Sequence, residues 1–384
     1  MSEHKKLLTL IWRRTNLMEL GKDVVLLPYN LGLALGYRTE ILCGYADGIE
    51  DCIHAEENEN LKFVRRWITY NPCQRILIYM KYLFQNSSRI DLLMCFHWRF
   101  ETFAVILLHR LFNKKGQIYV KLDTSTGIEW DLSYRSFIGK TLRRWVYNSC
   151  LKKVDLFSCE TSQAYRNLCG NKDFGAYLKP KLVILHNAFD EFRLKDIGLE
   201  ERSYSRKENL MITVGRLGTC QKNTEMQLNA LADMDLKEWR FCFIGPIEDT
   251  FQPVISDFFS RHPEKKGNVE FVGSLYDKKA LWEYYNKAKV FVCTSRWESS
   301  CIVLSEAKRF RNYIVSTRVG EAEDLVEQEK YGTFINQEDV SGLRGVLTHI
   351  IDREKNIDVY QNYDTKELSY QERMKALVSF LSCR

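Results

Sequence analysis

Short apolar runs alternate with longer amphipathic stretches along the whole chain, which is the texture of βα units and mostly parallel sheets. In the first half, Leu7–Trp12, Thr39–Cys43, Ile90–Phe96, Gln117–Leu122, Val154–Ser158 and Lys181–Leu185 predict strands. Residues 22–35, 98–112 and 138–151 carry apolar side chains at spacings of three and four, which predicts helices between them. Pro28, with no amide to donate, is expected to kink or end the first of these. Residues 191–208 are charged and poor in large apolar side chains, and they read as an exposed linker. A second series of strands follows at Leu210–Val214, Trp239–Ile244, Val269–Val272, Val290–Thr294, Tyr313–Ser316 and Gly332–Ile335. The pattern implies an α/β chain with two doubly wound domains, residues 1–190 and 209–362, joined by the linker 191–208. A C-terminal helix over 363–384 falls outside the second series and could pack back on either domain.

A chain of 384 residues, 45% hydrophobic, can fill two cores. The net charge of +6 is too mild to name a partner, but its distribution is uneven. Residues 1–190 hold 27 Lys and Arg against 19 Asp and Glu, net +8, which leaves 29 against 31, net −2, for the rest. Residues 61–121 concentrate the excess, with 11 basic side chains against 2 acidic ones. There Phe63, Trp67, Tyr70, Tyr79 and Tyr82 alternate with Lys62, Arg65, Arg66, Arg75 and Lys81. Either the aromatics fill a core beneath solvated cations, or this face is drawn to an anionic membrane. The twelve cysteines are scattered from Cys43 to Cys383 with no C-x-x-C pair, which points to reduced thiols in a cytosolic chain. The apolar run Leu7–Trp12 is closed by Arg13 and Arg14, too early for a secretory signal, and no stretch of 18 apolar residues occurs. A cytoplasmic protein with peripheral contact at the inner face of the membrane is therefore expected. The basic pairs Arg65-Arg66, Lys114-Lys115, Arg143-Arg144 and Lys152-Lys153 lack the aromatic-interleaved groove of a single-strand binder, so no nucleic-acid partner is expected.

In open α/β sheets ligands bind at the carboxyl ends of the strands. The first strand runs into RRTNLMELG, with no G-x-G-x-x-G, which argues against a dinucleotide-binding enzyme. The second domain is richer. Its first strand ends in Gly215 and Arg216, and Lys222 and Asn223 follow where Thr224 can cap a helix running to Ala232. A glycine, two cations and a helix N-terminus at one strand end suit a diphosphate. Gly245 and the run Gly273-Ser274-Leu275 close the next two strands, where free backbone groups can meet a planar base. In Thr294–Ala307 two carboxylates stand eight positions apart, Glu298 in a loop and Glu306 about two turns into a helix, so they can reach opposite ends of one extended ligand. The amides of Ser300, Cys301 and Ile302 would point from that helix N-terminus at an anion. Asp233-Met234-Asp235 imitates a metal-binding D-x-D but falls between a helix and the next strand, at the wrong end of the sheet.

The run G-R-x5-K-N at Gly215 to Asn223, the F-I-G-P turn, V-G-S-L-Y-D, S-R-W-E-S-S-C-I-V-L-S-E-A and the later T-R-V-G-E-A-E-D-L-V resemble the donor domain of the retaining GT-B glycosyltransferases of family 4. The likeness covers roughly residues 209–336, and the first half resembles the acceptor domain more loosely, through His186 to Asp190. The resemblance implies two Rossmann-like domains facing across a cleft and transfer of a hexosyl or N-acetylhexosaminyl group from a nucleotide sugar with retained configuration. It implies no metal and no cofactor, an acceptor that is a growing, lipid-linked glycan, and a place in bacterial surface-polysaccharide synthesis. By the same resemblance Arg216 and Lys222 would clamp the diphosphate, Glu306 would meet the ribose and Glu298 the donor sugar. The amides of Ser300, Cys301 and Ile302 would meet phosphate and sugar, and the Val272 to Leu275 turn would border the base. Three departures stand out. The glycine-rich loop after the first strand is missing. The family's acceptor-domain histidine is replaced at Tyr119 to Asp123, where Asp123 or Lys121 could substitute and His97 is a second candidate. The family's E-G-F-G-x-P reads Glu298-Ser299-Ser300-Cys301-Ile302-Val303, losing both glycines and the proline. Two other readings use the same motifs: a non-catalytic sugar-nucleotide-binding partner subunit, and an epimerase of the GT-B fold.

Overall fold

The apolar runs form two all-parallel sheets. The computed structural model describes residues 5–16, 19–44, 48–66, 71–124, 130 and 137–383, and Trp67 and Tyr70 lie outside them. Met1–Ala188 with Tyr370–Arg384 form one unit and Phe189–Ser369 the other. The first sheet comprises β1 (Leu7–Ile11), β2 (Arg38–Cys43), β3 (Leu61–Arg65), β4 (Leu92–Phe96), β5 (Gln117–Leu122), β6 (Leu156–Cys159) and β7 (Leu182–Ile184), in the order β3-β2-β1-β4-β5-β6-β7. The second comprises β8 (Glu208–Val214), β9 (Arg240–Ile244), β10 (Val269–Gly273), β11 (Ala288–Cys293), β12 (Tyr313–Ser316) and β13 (Gly332–Phe334), in the order β10-β9-β8-β11-β12-β13. Helices cover both faces of each sheet, so central strands such as LLTLI and LLMCF are buried at every position and read as continuous apolar runs. Each sheet thus separates two layers of core.

Four expectations need correction. No strand was predicted at β3, whose LKFVR alternates buried and exposed side chains because it is the edge of its sheet. The helix Asp23–Leu35 does not end at Pro28 but continues for two more turns. An interior proline costs about 3 kcal/mol, and burial of Val24, Val25, Leu27 and Leu31 offsets it. Residues 191–208 are not an exposed linker: Asp190 caps a helix over Glu191–Ile197, and Lys207 is buried. The charges that suggested exposure are paired, since Arg309, itself 4% exposed, holds Glu191 and Glu201, each through Nη2 at 2.8 Å. The second unit also extends past residue 362, because Tyr363 and Leu368 belong to its core.

The last helix, Tyr370–Ser382, buries Tyr370, Met374, Leu377 and Leu381 in the first unit, and Gln117 Nε2 donates to the Leu381 carbonyl at 2.9 Å. All twelve cysteines are free thiols, and seven of them are buried. Among the described residues no helix is long and apolar enough to cross a membrane.

His109 supplies a pH test of the first unit. Its ring is fully buried on the helix Phe100–Phe112, with Nδ1 3.1 Å from Ser87 Oγ. Burial, and after it the neighbouring Arg110, pushes its pKa down to about 4 from 6.5. The unfolded chain therefore holds the proton more tightly. Stability from the neutral ring is complete above pH 6.5 and is lost as pH falls toward 4, up to about 3 kcal/mol. Denaturant melts across that range should show His109→Gln losing less stability on acidification than the wild type by about that amount.

Candidate functional site

The carboxyl edge of the second sheet brings three turns to one level. The Gly215 amide donates to Ile244 O at 3.0 Å and the Gly245 amide to Gly273 O at 2.8 Å, so the hydrogen-bond ladder continues one step past the strands. Gly245 has φ +135°, and a Cβ there would collide with the Gly215 carbonyl oxygen, so only glycine fits. Gly273 also has positive φ, and the Ser274 to Tyr276 segment that follows leaves the Tyr276 ring 79% exposed.

Arg216 and Lys222 leave the loop after β8, and Glu298 comes from the loop after β11. Lys222 Nζ lies 2.6 Å from Glu298 Oε1, and Ser295 Oγ donates to the same oxygen at 2.7 Å. Gln221 Nε2 donates to Glu298 Oε2 at 3.2 Å, while its Oε1 accepts from Arg216 Nη2 at 2.9 Å. Four side chains from two loops are thus joined through one carboxylate. Burial favours the neutral amine of Lys222, but the Cys301 sulfur and the Glu298 carboxylate outweigh it and raise its pKa, so the group stays an ammonium. Asn223, not Thr224, occupies the cap position of the helix Thr224–Ala232, with φ +49°. Its amide is buried and donates to Glu338 Oε1 at 3.3 Å, while the Thr224 hydroxyl accepts from the Gly218 amide at 3.0 Å. These two residues shape the cation-bearing loop.

Glu306 sits in the helix Ile302–Arg309, 5% exposed, with Oε1 accepting from Lys278 Nζ and Trp282 Nε1, each at 3.0 Å. The helix starts after Cys301, which holds φ +81°. Ser300 Oγ donates to the fully buried Glu321 at 2.7 Å, and Ser305 Oγ donates to the same carboxylate at 3.3 Å. Sequence reasoning missed Gln221, Ser295, Lys278, Trp282 and Glu321. Only Ser295 and Glu321 had a signal, their places in the S-R-W-E and T-R-V-G-E runs. The Asp233-Met234-Asp235 decoy follows the helix Thr224–Ala232 on the opposite edge, where Asp233 pairs with Arg344 at 2.6 Å.

The first unit gathers charge at its own carboxyl edge. Lys121, 1% exposed, points its ammonium at Asp23 (2.8 Å), Asp123 (2.5 Å) and Glu160. Among the described residues these three carboxylates form the one group whose oxygens converge as for a metal ion, and the ammonium already fills it. Saturated and buried, Lys121 cannot meet a sugar. His97 and Asp123, each about a fifth exposed, remain, with Nδ1 and Oδ2 3.5 Å apart. His97 takes φ +63°, its ring lies 5.8 Å from Trp12, and burial lowers its pKa against the pull of Asp123.

Residues 199–367 match the family model described as Glycosyl transferases group 1. The second unit therefore carries a glycosyltransferase group 1 domain. The chain is similar to an uncharacterized 41.2 kDa protein in the cps region of Klebsiella pneumoniae, 26% identical over 168 residues, covering 42% of this chain and 44% of that protein. It is 29% identical over 107 residues to the amylovoran biosynthesis glycosyltransferase AmsD of Erwinia amylovora, covering 28% of each. The chain thus spans less than half the length of either relative. The Anabaena protein Alr3699/HepE, solved in complex with UDP, superposes with a TM-score of 0.70 at 16% identity over 99% of this chain and 100% of that one. That likeness shows the fold: two parallel-sheet α/β domains of the GT-B type.

The contact of Gly245 with Gly215 gives a direct test. Gly245→Ala should destabilise the second unit by roughly 3 kcal/mol or more, because the left-handed backbone is strained and the carbonyl is in the way. Calorimetry should show the lower-melting transition. A variant as stable as the wild type would mean that the two turns do not meet as described.

Proposed function

We propose that the protein is a retaining glycosyltransferase of family 4 that moves a hexosyl or N-acetylhexosaminyl group from a nucleotide sugar to a growing, lipid-linked glycan in surface-polysaccharide synthesis at the cytoplasmic face of the membrane. The observation that carries this reading is the network Arg216–Gln221–Glu298–Lys222 inside a glycosyltransferase group 1 domain. It brings two cations and a hydrogen-bond-accepting carboxylate to the strand ends where the glycine-bearing turns lie.

The second unit takes the donor. Its diphosphate draws Arg216 and Lys222, which supply the positive charge that stabilises the departing nucleotide phosphate without a metal. As the phosphate engages Lys222, Glu298 is released from the pair at 2.6 Å to hold donor-sugar hydroxyls. Glu306, oriented by Trp282 and Lys278, accepts from the ribose hydroxyls. The amides of Ser300, Cys301 and Ile302 face the phosphate and sugar, and Gly245 and the Gly273-Ser274-Leu275 turn border the base. Gly215 and Asn223 hold the loop that carries the cations. The similar Anabaena protein was solved with UDP, which supports a nucleotide as part of the ligand.

The first unit takes the acceptor. His97, kept neutral by burial, and Asp123 are its polar pair for the acceptor hydroxyl. Retention follows if the leaving group departs and the acceptor attacks on the same face of the sugar. The proton of the acceptor hydroxyl then passes to a phosphate oxygen as the glycosidic bond forms and the sugar–phosphate bond breaks.

A panel of nucleotide sugars tests the reading. One should raise the melting temperature and be turned over with a lipid-linked acceptor. Arg216→Ala and Glu306→Ala should each lower that turnover by about 100-fold or more. Unchanged turnover in both variants would end the assignment, and a rearranged nucleotide sugar formed without acceptor would make the protein an epimerase.

A further inference from the structure

Charge counting along residues 61–121 overstates the charge that faces outward. Arg65, Arg75, Arg89 and Arg110 are tied to Glu50, Glu101, Glu40 and Asp155, and Lys121 is buried among its three carboxylates. Phe63, Tyr79 and Tyr82 are core side chains. Five of that segment's eleven basic side chains are thus taken up internally, whereas Lys81, Lys114 and Lys115 are exposed.

A different surface stands out. The helices Pro72–Asn86, Phe100–Phe112 and Phe137–Leu151 connect β3 to β4, β4 to β5 and β5 to β6, and each packs on the next. Their inner sides are buried in the first unit's core, yet their outer sides are also apolar. On the first helix Leu77, Met80 and Phe84, spaced three and four apart, are 58%, 40% and 72% exposed. On the second, Phe100, Leu107 and Leu111 repeat the stripe at 68%, 38% and 69%. The third adds Leu142 at 61% and Trp145 at 67%. The Phe84 and Phe112 rings meet at 5.5 Å, which joins the first two stripes. An apolar patch spread over three adjacent helices marks an interaction surface.

The charges around it select the partner. The three helices contain a single acidic residue, Glu101, and it is paired with Arg75. Lys81 stands between Met80 and Phe84, Lys114 and Lys115 follow the second helix, and Lys152 follows the third. A second copy of this chain would bring the same cations face to face, and a nucleic acid would leave the apolar stripes uncovered. An anionic bilayer satisfies both features.

We propose that this three-helix face is a membrane-docking surface that rests on anionic phospholipid, with Phe84, Leu111 and Trp145 in the headgroup boundary and Lys81, Lys114, Lys115 and Lys152 on the phosphates. The second of these helices starts three residues after His97, at the edge where the first unit meets its proposed acceptor. The surface stands whether or not the acceptor is a lipid-linked glycan.

Sedimentation of the full chain with vesicles tests it. The protein should bind phosphatidylcholine vesicles containing phosphatidylglycerol, lose that binding at high salt, and bind phosphatidylcholine alone at least tenfold more weakly. Each basic residue at such a surface is worth about fivefold in affinity, so Lys114→Glu with Lys115→Glu should weaken binding by about 25-fold or more. Phe84→Ser, Leu111→Ser and Trp145→Ser together should weaken it at least tenfold with no fall in melting temperature, since these side chains are exposed. Phe192→Ser, at an exposed apolar position of the second unit away from the donor turns, should bind as the wild type does. Nucleotide-sugar binding should persist in all of these, which separates this surface from the donor site. Absent wild-type binding, an unaffected triple serine variant, or a concentration-dependent dimer that the triple variant abolishes would overturn the proposal.

Discussion

Glu298 accepts from Lys222, Ser295 and Gln221, and through Gln221 it holds Arg216. The loops after β8 and β11 lie on neighbouring strands, but nothing in a parallel sheet obliges the segments beyond the strand ends to stay together. This carboxylate ties them. A carboxylate 9% exposed would cost several kcal/mol to bury alone, so the cation and the two neutral donors around it are a condition of its being there at all. The same arrangement leaves the site in a state that a diphosphate can exploit. The anion competes for cations that are already oriented, and in Lys222 partly desolvated, so that little reorganisation is left to the moment of binding.

The first unit solves a related problem differently. Lys121 is a strand residue whose ammonium lies in a nearly dry interior, and three carboxylates from three segments surround it. Its pKa is well above ordinary because those carboxylates outweigh burial, whereas the pKa of Glu160 is raised because burial and the crowded acids outweigh the one ammonium. One cation cannot neutralise three acids, so the cluster holds a proton or leaves an acid facing outward. Asp123, the acid nearest solvent with His97 beside it, is where that residual charge reaches the surface.

The sheets were legible because a strand covered on both faces is largely apolar, and nine of the thirteen strands have three or more buried residues in succession. β3 was not, since an edge strand shows only one buried face. The segment 191–208 misled for another reason: composition reports charge, not pairing, and Arg309 lies more than a hundred residues from the acids it holds. At the site, charged residues at telling spacings could be read, as Arg216, Lys222, Glu298 and Glu306 were. Gln221 and Trp282 could not, because a neutral donor acquires meaning only from the carboxylate placed opposite it.

The lost glycines and proline of the loop at Glu298 can be separated by backbone geometry. Ser299 does not take a positive φ, so nothing in the loop's course requires glycine there. Cys301 does, at +81°, and it keeps the left-handed turn into the helix at a cost of about 1–2 kcal/mol. Its buried thiol, part of the core against Leu304 and Val319, is placed to offset that cost. Val303 is the second residue of the helix, where the amide needs no acceptor within the helix and proline would gain only a fixed φ. The backbone that presents the helix N-terminus is therefore preserved although four of six residues differ from the family's pattern. What changes is the lining: a hydroxymethyl at Ser299 stands where the family has a hydrogen, whereas the Cys301 thiol turns into the core and Ser300 is tied to Glu321, so under the proposed reading a difference in donor-sugar fit falls to Ser299 rather than to the path of the chain.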